Sequence, residues 1–262
     1  MSLSSFGKPV TSDVHAEVAA AIGDIVRTIT AGGPPPRGLP YLGLDHASGT
    51  RLRLLDELST RGIFRKYEHV LDLGGGLGAS TRYMAARLGC TATATGTPAE
   101  VRAGGALTKR AGLDWQVFHV AADATRLPFA EAAFTHVWVV ETLPRLGPAT
   151  PTLFEAARVL RPGGHLGIQD LVLTGVGDDG LPGVLARTTS RHDELTHAGF
   201  VEISRRDVTA EAVEHGSRQQ IAREQLVRRL GEGHPVARQR QAIAEALATG
   251  RLRVVQVTAR RP

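Results

Sequence analysis

This chain of 262 residues is short of several things, and each shortage narrows what it is. It has one cysteine, Cys90, which excludes an internal disulfide and any zinc site built from cysteines. No run of residues approaches the ~18 consecutive apolar positions of a membrane-spanning helix. Lysine occurs only at Lys8, Lys66 and Lys109, so nearly all the positive charge is arginine. Aromatic residues make up 5% of the chain, too few to stud a basic run with stacking platforms. The net charge of +5 and isoelectric point near 10.0 therefore describe arginines scattered among Asp and Glu, and a nucleic-acid partner is disfavoured. Met1–Val10 lacks the charged-then-apolar layout of a secretory signal, so a cytoplasmic protein is expected.

What is present begins with enough apolar residues, 42%, for a substantial core. One stretch organises the rest. Val70-Leu71-Asp72-Leu73 is a short apolar run of the kind buried on both faces of a sheet. It breaks into Gly74, Gly75, Gly76 and Gly78, then continues through Ala79–Leu88 in a helical pattern. Strand, glycine turn and helix form the first half of a βαβ unit, in which the chain turns sharply and leaves room for a ligand against the backbone.

The signals alternate on both sides of that turn. Strands are expected at His69–Leu73, Thr91–Thr95, Trp115–Val120, Phe134–Val140, His165–Leu171, Phe200–Asp207 and Leu252–Ala259. Helices are expected at Ala79–Leu88, Ala99–Ala111, Thr152–Leu160 and Arg191–Ala198, with two more around Val213–Leu230 and Val236–Ala248. Seven strands separated by helices predict an α/β fold: a doubly wound, mostly parallel, Rossmann-like sheet over residues 66–262, with a helical insertion at about 210–250. Residues 1–65 read as an N-terminal helical extension and candidate lid. Val14, Val18, Ile22 and Val26 share one helical face there, a Gly/Pro linker follows at 31–38, and a further helix runs through Leu52, Leu55 and Leu58.

Gly74, Gly76 and Ala79 satisfy the dinucleotide fingerprint, yet Asp72 at the strand end would repel a pyrophosphate and attract a cationic or amine-bearing ligand. Asp123 stands at the same edge after the third strand, where a carboxylate can accept from an exocyclic amine. Two carboxylates and no lysine suit a ligand combining an amine, an adenosine and a positive charge.

Four motifs in order then resemble the class I S-adenosylmethionine-dependent methyltransferases. They are Val70–Gly78; Asp123-Ala124-Thr125-Arg126-Leu127-Pro128-Phe129 with Phe134; Arg158–Leu166; and Leu195–Phe200. The stretch Leu77–Ala85 is similar to the small-molecule enzymes of the glycine–sarcosine, tocopherol and ubiquinone-biosynthesis type. The resemblance implies S-adenosylmethionine as cofactor, no metal, and a small molecule as methyl acceptor at O, N or C. It implies that Asp72 and the turn Gly74, Gly75, Gly76 and Gly78 hold the amino-acid end of the cofactor. Asp123 and Ala124 receive the adenine, Val140 lines the cofactor with its backbone, and Glu141 faces the acceptor. If the acceptor must lose a proton, His46, Glu141, His165 and His192 are the candidate bases. Tyr41 either closes over the pocket or packs on the helix behind it.

The sequence departs from the family in three places. Thr95 stands where an acidic residue accepts the ribose hydroxyls, a loss worth about 1.5–3 kcal/mol of binding. Thr135 replaces an Asp, and Arg145 lies near a position that often carries His, which marks it as a candidate substrate or lid residue. These departures leave open a competing expectation: a diverged protein of this fold that binds a cofactor or metabolite without methyl transfer, or catalyses a different reaction. Oligomeric state is not encoded in any motif, and a homo-oligomer remains open.

Overall fold

The computed structural model describes residues 12–30, 40–46, 52, 55–56, 59, 68–175, 191–212 and 217–262, without the side chains of 12, 13 and 217–219. The linker at 31–38, Leu58, and residues 176–190 and 213–216 lie outside the described residues.

Seven strands form one sheet: β1 (His69–Asp72), β2 (Thr91–Gly96), β3 (Val117–Ala121), β4 (Phe134–Val140), β5 (Leu160–Leu173), β6 (Val201–Asp207) and β7 (Leu252–Arg260). Their order is β3-β2-β1-β4-β5-β7-β6. β1 to β5 pair in parallel, and β7 pairs antiparallel with both β5 and β6. The mostly parallel, doubly wound sheet expected from the sequence is therefore what forms, with β7 as its one reversed strand. β5 starts five residues earlier than expected and runs to Leu173 along β7.

Alternation along the central strands divides the core between the two faces. Leu71, Val137, Val139, Leu166 and Ile168 point to one face, where Leu153, Ala156 and Val159 of one helix (Ala149–Val159) and Leu195 of another (His192–His197) cover them. Val70, Ala92, Trp138 and Val140 point to the other, against Tyr83 and Met84 of the helix after the glycine turn (Ala79–Leu88) and Leu52 and Leu55. In chain order the helices are α1 (Ser12–Ile29), α2 (Ala79–Leu88), α3 (Pro98–Arg110), α4 (Ala149–Val159), α5 (His192–His197), α6 (Thr209–Ala212), α7 (Ser217–Leu230) and α8 (Pro235–Ala248).

The N-terminal helix is built into this body. Val18, Ile22, Ile25 and Val26 of α1 share a core with Leu107 of α3, Ala222 and Leu226 of α7, and Leu42 and Leu44. Burying such an aliphatic side chain stabilises the fold by about 1.5–3 kcal/mol. α1, the 41–46 turn and α7–α8 thereby sit over the carboxyl ends of the parallel strands. Strand order reverses between β1 and β4, and in open α/β sheets that switch point is where ligands bind.

Candidate functional site

A cavity lies at the switch point. Gly74, Gly75, Gly76 and Ser80 form its floor; Val140, Glu141, Thr142 and Arg145 form one side, and Glu100 another. His15 and Val18 of α1, Leu44, Asp45 and His46, and Arg240 of α8 close it from above.

The floor is tied together from within. Gly74 N–H donates to Thr95 Oγ1 (2.9 Å), Gly76 N–H to Thr95 O (3.1 Å), Gly75 N–H to Asp72 O (3.2 Å) and Gly78 N–H to Gly75 O (2.8 Å). A phosphate cradle needs such N–H groups turned to the ligand; here these four are engaged, which disfavours a dinucleotide. Gly74 has φ +73°, and a Cβ there would meet Thr142 Oγ1 at 2.9 Å and Leu146 Cδ2 at 2.7 Å. Gly78 has φ +82°, and its Cβ would meet His119 Cε1 at 2.6 Å. Side chains are excluded at both positions by conformation and by space.

Asp72 lies fully buried beneath this turn. Its Oδ2 accepts from Ser80 Oγ (2.5 Å) and Thr81 Oγ1 (2.6 Å), both at the start of α2, while Oδ1 has no hydrogen-bond partner among the described residues. Burial pushes its carboxyl above the usual range, and the two hydroxyls oppose the shift. Asp72 holds the turn onto α2; it is not among the cavity-lining residues. Thr95 is likewise buried, its hydroxyl bonded to the turn.

Glu100, which the sequence reading passed over, supplies a carboxylate at this edge. Thr97 caps α3, and Glu100 Oε2 accepts from Thr97 N–H (2.9 Å) and Thr97 Oγ1 (2.9 Å) in a capping box. That box fixes the Glu100 side chain so that Oε1 would stand 3.2 Å from a Cβ on Gly76. The spacing Thr97-x-x-Glu100 was the available signal.

Asp123 sits past β3, fully exposed, with Oδ1 accepting from Thr125 N–H and Oγ1, both at 2.8 Å. These two bonds lower its pKa. Ala124 beside it is buried. Neither lines the cavity, though both stand at the same sheet edge.

His46 and Glu141 meet at the wall. His46 Nε2 lies 3.2 Å from Glu141 Oε2, with both side chains buried. Gln169 Nε2 donates to Glu141 Oε1 (2.7 Å), and Gln256 Nε2 donates to Gln169 Oε1 (3.0 Å), so the carboxylate is braced by two amides from β5 and β7. Glu141 has φ +58°, a left-handed conformation costing of order 1–3 kcal/mol that only a strongly determined setting maintains. Its N–H donation to Gln169 O (2.6 Å) is part of that setting.

The 41–46 turn that delivers His46 is clamped by two arginines. Arg82 of α2, fully buried, donates from Nη2 to Asp45 Oδ2 (2.6 Å) and from Nη1 to Thr108 Oγ1 (2.9 Å). Arg240 of α8 donates from Nη2 to the carbonyls of Leu44 and, at 2.6 Å, His46. Tyr41 stands away from the cavity: its hydroxyl donates to Leu107 O (2.6 Å), and Arg82 lies over its ring at 5.3 Å. Of the other candidate bases, His165 of β5 stacks on His136 of β4 at 5.6 Å, and His192 is exposed at the start of α5. Thr135 donates to His69 O (3.0 Å) and accepts from His69 N–H (3.0 Å), bridging β4 to β1.

With this geometry in view, residues 71–168 match the family model for a methyltransferase domain. The chain is 31% identical over 128 residues to Methyltransferase GfsG of Streptomyces halstedii, covering 48% of this chain and 46% of that protein. It is 30% identical over 181 residues to the sarcosine/dimethylglycine N-methyltransferase of Halorhodospira halochloris, covering 63% of each. The chain thus spans between about half and two thirds of the length of these relatives. Among solved structures, the [4+2]-cyclase SpnF shares the fold, with a TM-score of 0.67 and 23% identity over 98% of this chain and 99% of that one.

Proposed function

We propose that the methyltransferase domain carried by this chain binds S-adenosylmethionine over the glycine turn and directs its methyl group to a hydroxyl of a small molecule. The observation that carries this reading is the buried His46–Glu141 pair on the cavity wall. Methyl transfer from a sulfonium needs alignment above all, where effective molarities reach about 10⁵ M or more. An amine acceptor arrives with its lone pair; a hydroxyl must shed a proton, and a built carboxylate–imidazole pair is the machinery for that.

The residues present fit such a cofactor. Glu100 and Glu141 bring two carboxylates to a cavity with no lysine among its described lining residues, and the turn's engaged N–H groups make no demand for a phosphate. When bound, S-adenosylmethionine supplies an electrophilic methyl group on a positively charged sulfur. Gly74–Gly76 carry its amino-acid end with Asp72 as the underlying brace, and the Val140 backbone lines it. Glu100 takes the ribose hydroxyls in the place expected of Thr95. Asp123 and Ala124 receive the adenine at the β3 edge.

His46 is the base. Its imidazole accepts the hydroxyl proton, and Glu141, 3.2 Å from Nε2, stabilises the imidazolium formed. Arg145, in the one-turn 3₁₀ segment Leu143–Arg145, contributes to the acceptor side of the wall. The competing reading, binding without methyl transfer, is the weaker one, since the relatives matched in sequence are named as methyltransferases.

Transfer of labelled methyl from S-adenosylmethionine to a panel of phenols and alcohols, each paired with its amine analogue, tests this. Hydroxyl-selective transfer that falls about 10²–10⁴-fold in His46→Ala is expected. Transfer to the amines with His46→Ala unaffected overturns the hydroxyl assignment, and absence of binding to S-adenosylhomocysteine overturns the whole reading.

A further inference from the structure

Behind the cavity wall the sheet carries a row of polar side chains. Val140, the last residue of β4, stands opposite Gln169 on β5, and Gln169 stands opposite Gln256 on β7. Both glutamines are buried, at 1% and 2% exposure, and neither is among the described residues that line the cavity. Replacing a buried hydrogen-bonded pair by apolar groups of similar shape is often neutral or stabilising. Packing alone therefore gives no reason for two amides at these positions.

The row has a direction. A carboxylate only accepts, so Gln169 turns its Nε2–H to Glu141 Oε1 (2.7 Å) and its own Oε1 away. Gln256 Nε2 donates to that oxygen (3.0 Å). With the Gln169 amide reversed, its oxygen would meet the carboxylate, acceptor against acceptor, and Gln256 opposes that reversal. The main chain adds a second grip: Glu141 N–H donates to Gln169 O (2.6 Å), which helps to keep Glu141 in its left-handed conformation. Oε1 is thereby committed to β5, while Oε2 is the oxygen 3.2 Å from His46 Nε2.

We propose that Gln169 and Gln256 are positioning residues for the methyl transfer. Head to tail, the two amides hold the Glu141 carboxylate so that one oxygen is left for His46. Their donated hydrogen bonds also favour the charged form of Glu141, the form that stabilises an imidazolium. Gln169 acts on Glu141 directly through a charge-assisted bond. Gln256 acts one step farther back, by fixing which way the Gln169 amide points. This assignment rests on the methyltransferase reading with His46 as base.

Gln169→Met, Gln256→Met and a control are compared with wild type in the full chain. The control, Gln241→Met, removes an exposed amide–carboxylate bond of α8, 2.9 Å long, to Glu245. In labelled-methyl transfer to the hydroxyl acceptors, kcat should fall about tenfold or more in Gln169→Met and about threefold in Gln256→Met. KM and the affinity for S-adenosylhomocysteine should stay as in wild type, and Gln241→Met should behave as wild type throughout. In a His46→Ala background neither core substitution should lower kcat further, because both act through the one pair. Apart from activity, the ring-nitrogen NMR signals of His46 should move in Gln256→Met, although Gln169 and Glu141 lie between the two residues, and stay in place in Gln241→Met. Unmoved His46 signals, unchanged kcat in a less stable protein, or losses that add to that of His46→Ala overturn the proposal. Gln256→Met, the milder change, decides the matter by the same signals if Gln169→Met does not fold. Failure of wild type to bind S-adenosylhomocysteine in calorimetry overturns the methyltransferase reading and the proposal with it, whereas normal binding with unmoved His46 signals overturns the positioning role alone.

Discussion

Below the cavity, the glycine turn is tied by hydroxyls and backbone groups close in sequence: Asp72 to Ser80 and Thr81, 8 and 9 residues on, and Gly74 to Thr95, 21 residues on. Above it, the 41–46 turn is tied by buried arginines from far away, Arg82 at a separation of 37 and Arg240 at 194 and 196. The floor uses short side chains whose partners are dictated by one βαβ unit. The roof uses long, charged side chains that must cross between elements brought together only by the whole fold. The floor is thereby made rigid and generic, and the roof carries what is particular to this protein, namely the buried His46–Glu141 pair and the arginines that clamp its turn.

The largest expected effect attacks the roof. Arg82→Met leaves Asp45 as a buried carboxylate without its cation and should cost about 3–5 kcal/mol in denaturant unfolding. A loss below about 1 kcal/mol, the range of exposed pairs, would mean that the roof is no more dependent on buried charge than the surface is.

Next comes the floor. Asp72→Ala removes the acceptor of two buried hydroxyls and should cost about 2–3 kcal/mol, while Asp72→Asn, which keeps an oxygen there, should lose much less. If the two variants are equally unstable, the charge of Asp72 matters more than its geometry, and the floor depends on charge as the roof does.

Glu100 carries the proposed contact to the cofactor ribose. Glu100→Ala should weaken S-adenosylhomocysteine about tenfold or more by calorimetry, and Thr95→Val should affect folding more than binding. The reverse pattern would return ribose recognition to Thr95.

Two buried histidines away from the cavity give a pH test. Burial lowers His136 to about 3 and His119 to about 4, with Arg82 adding to the shift at His119 and His165 to that at His136. Both are neutral in the folded chain and take up protons on unfolding below pH 6.5. Stability contributed by their neutral state is therefore present above about 6.5 and falls as pH drops toward the folded values, by about 1.4 kcal/mol per pH unit for each. Asp72, raised by burial, has the opposite sign: its folded form favours the proton, so stability falls as pH rises above the normal carboxyl range. Thermal melts between pH 4 and 7 should show a shallower acid slope in His136→Gln than in wild type, and an unchanged slope would remove His136 from the account.

The smallest effect belongs to Cys90, buried in the core with its thiol pushed up to about 12 by burial. Cys90→Ala should leave cofactor affinity unchanged, and the native thiol should resist alkylation. Rapid labelling would show that the core beneath β2 opens.

The sheet was legible because its information is local. Apolar runs such as Val70–Leu73 and Phe134–Val140, punctuated by glycine and proline, define strands wherever they sit, and Phe134–Val140 and Ala79–Leu88 form with the bounds expected. The seven strands and the place of the glycine turn at their carboxyl edge followed from that pattern. The antiparallel arrival of β7 after the α7–α8 hairpin and the extension of β5 along it required the paired partner.

The site was only half legible, and the division follows the same line. His46 and Glu141 were named singly from sequence; that they touch depends on Arg240 and Arg82 holding the turn in place. Tyr41 and Thr95 carry the right chemistry for a ligand, but their hydroxyls are bonded to Leu107 and Gly74. Glu100 was missed although the Thr97-x-x-Glu100 spacing signals a cap, and its place beside Gly76 depends on how β2 pairs with β1. Sequence by itself determined the alternation of strand and helix and the glycine turn, because backbone conformation and burial pattern are read from neighbours in the chain. Which polar groups face the cavity, and which serve only to brace it, was decided by tertiary structure, because a side chain's partner is set by what the completed fold packs against it.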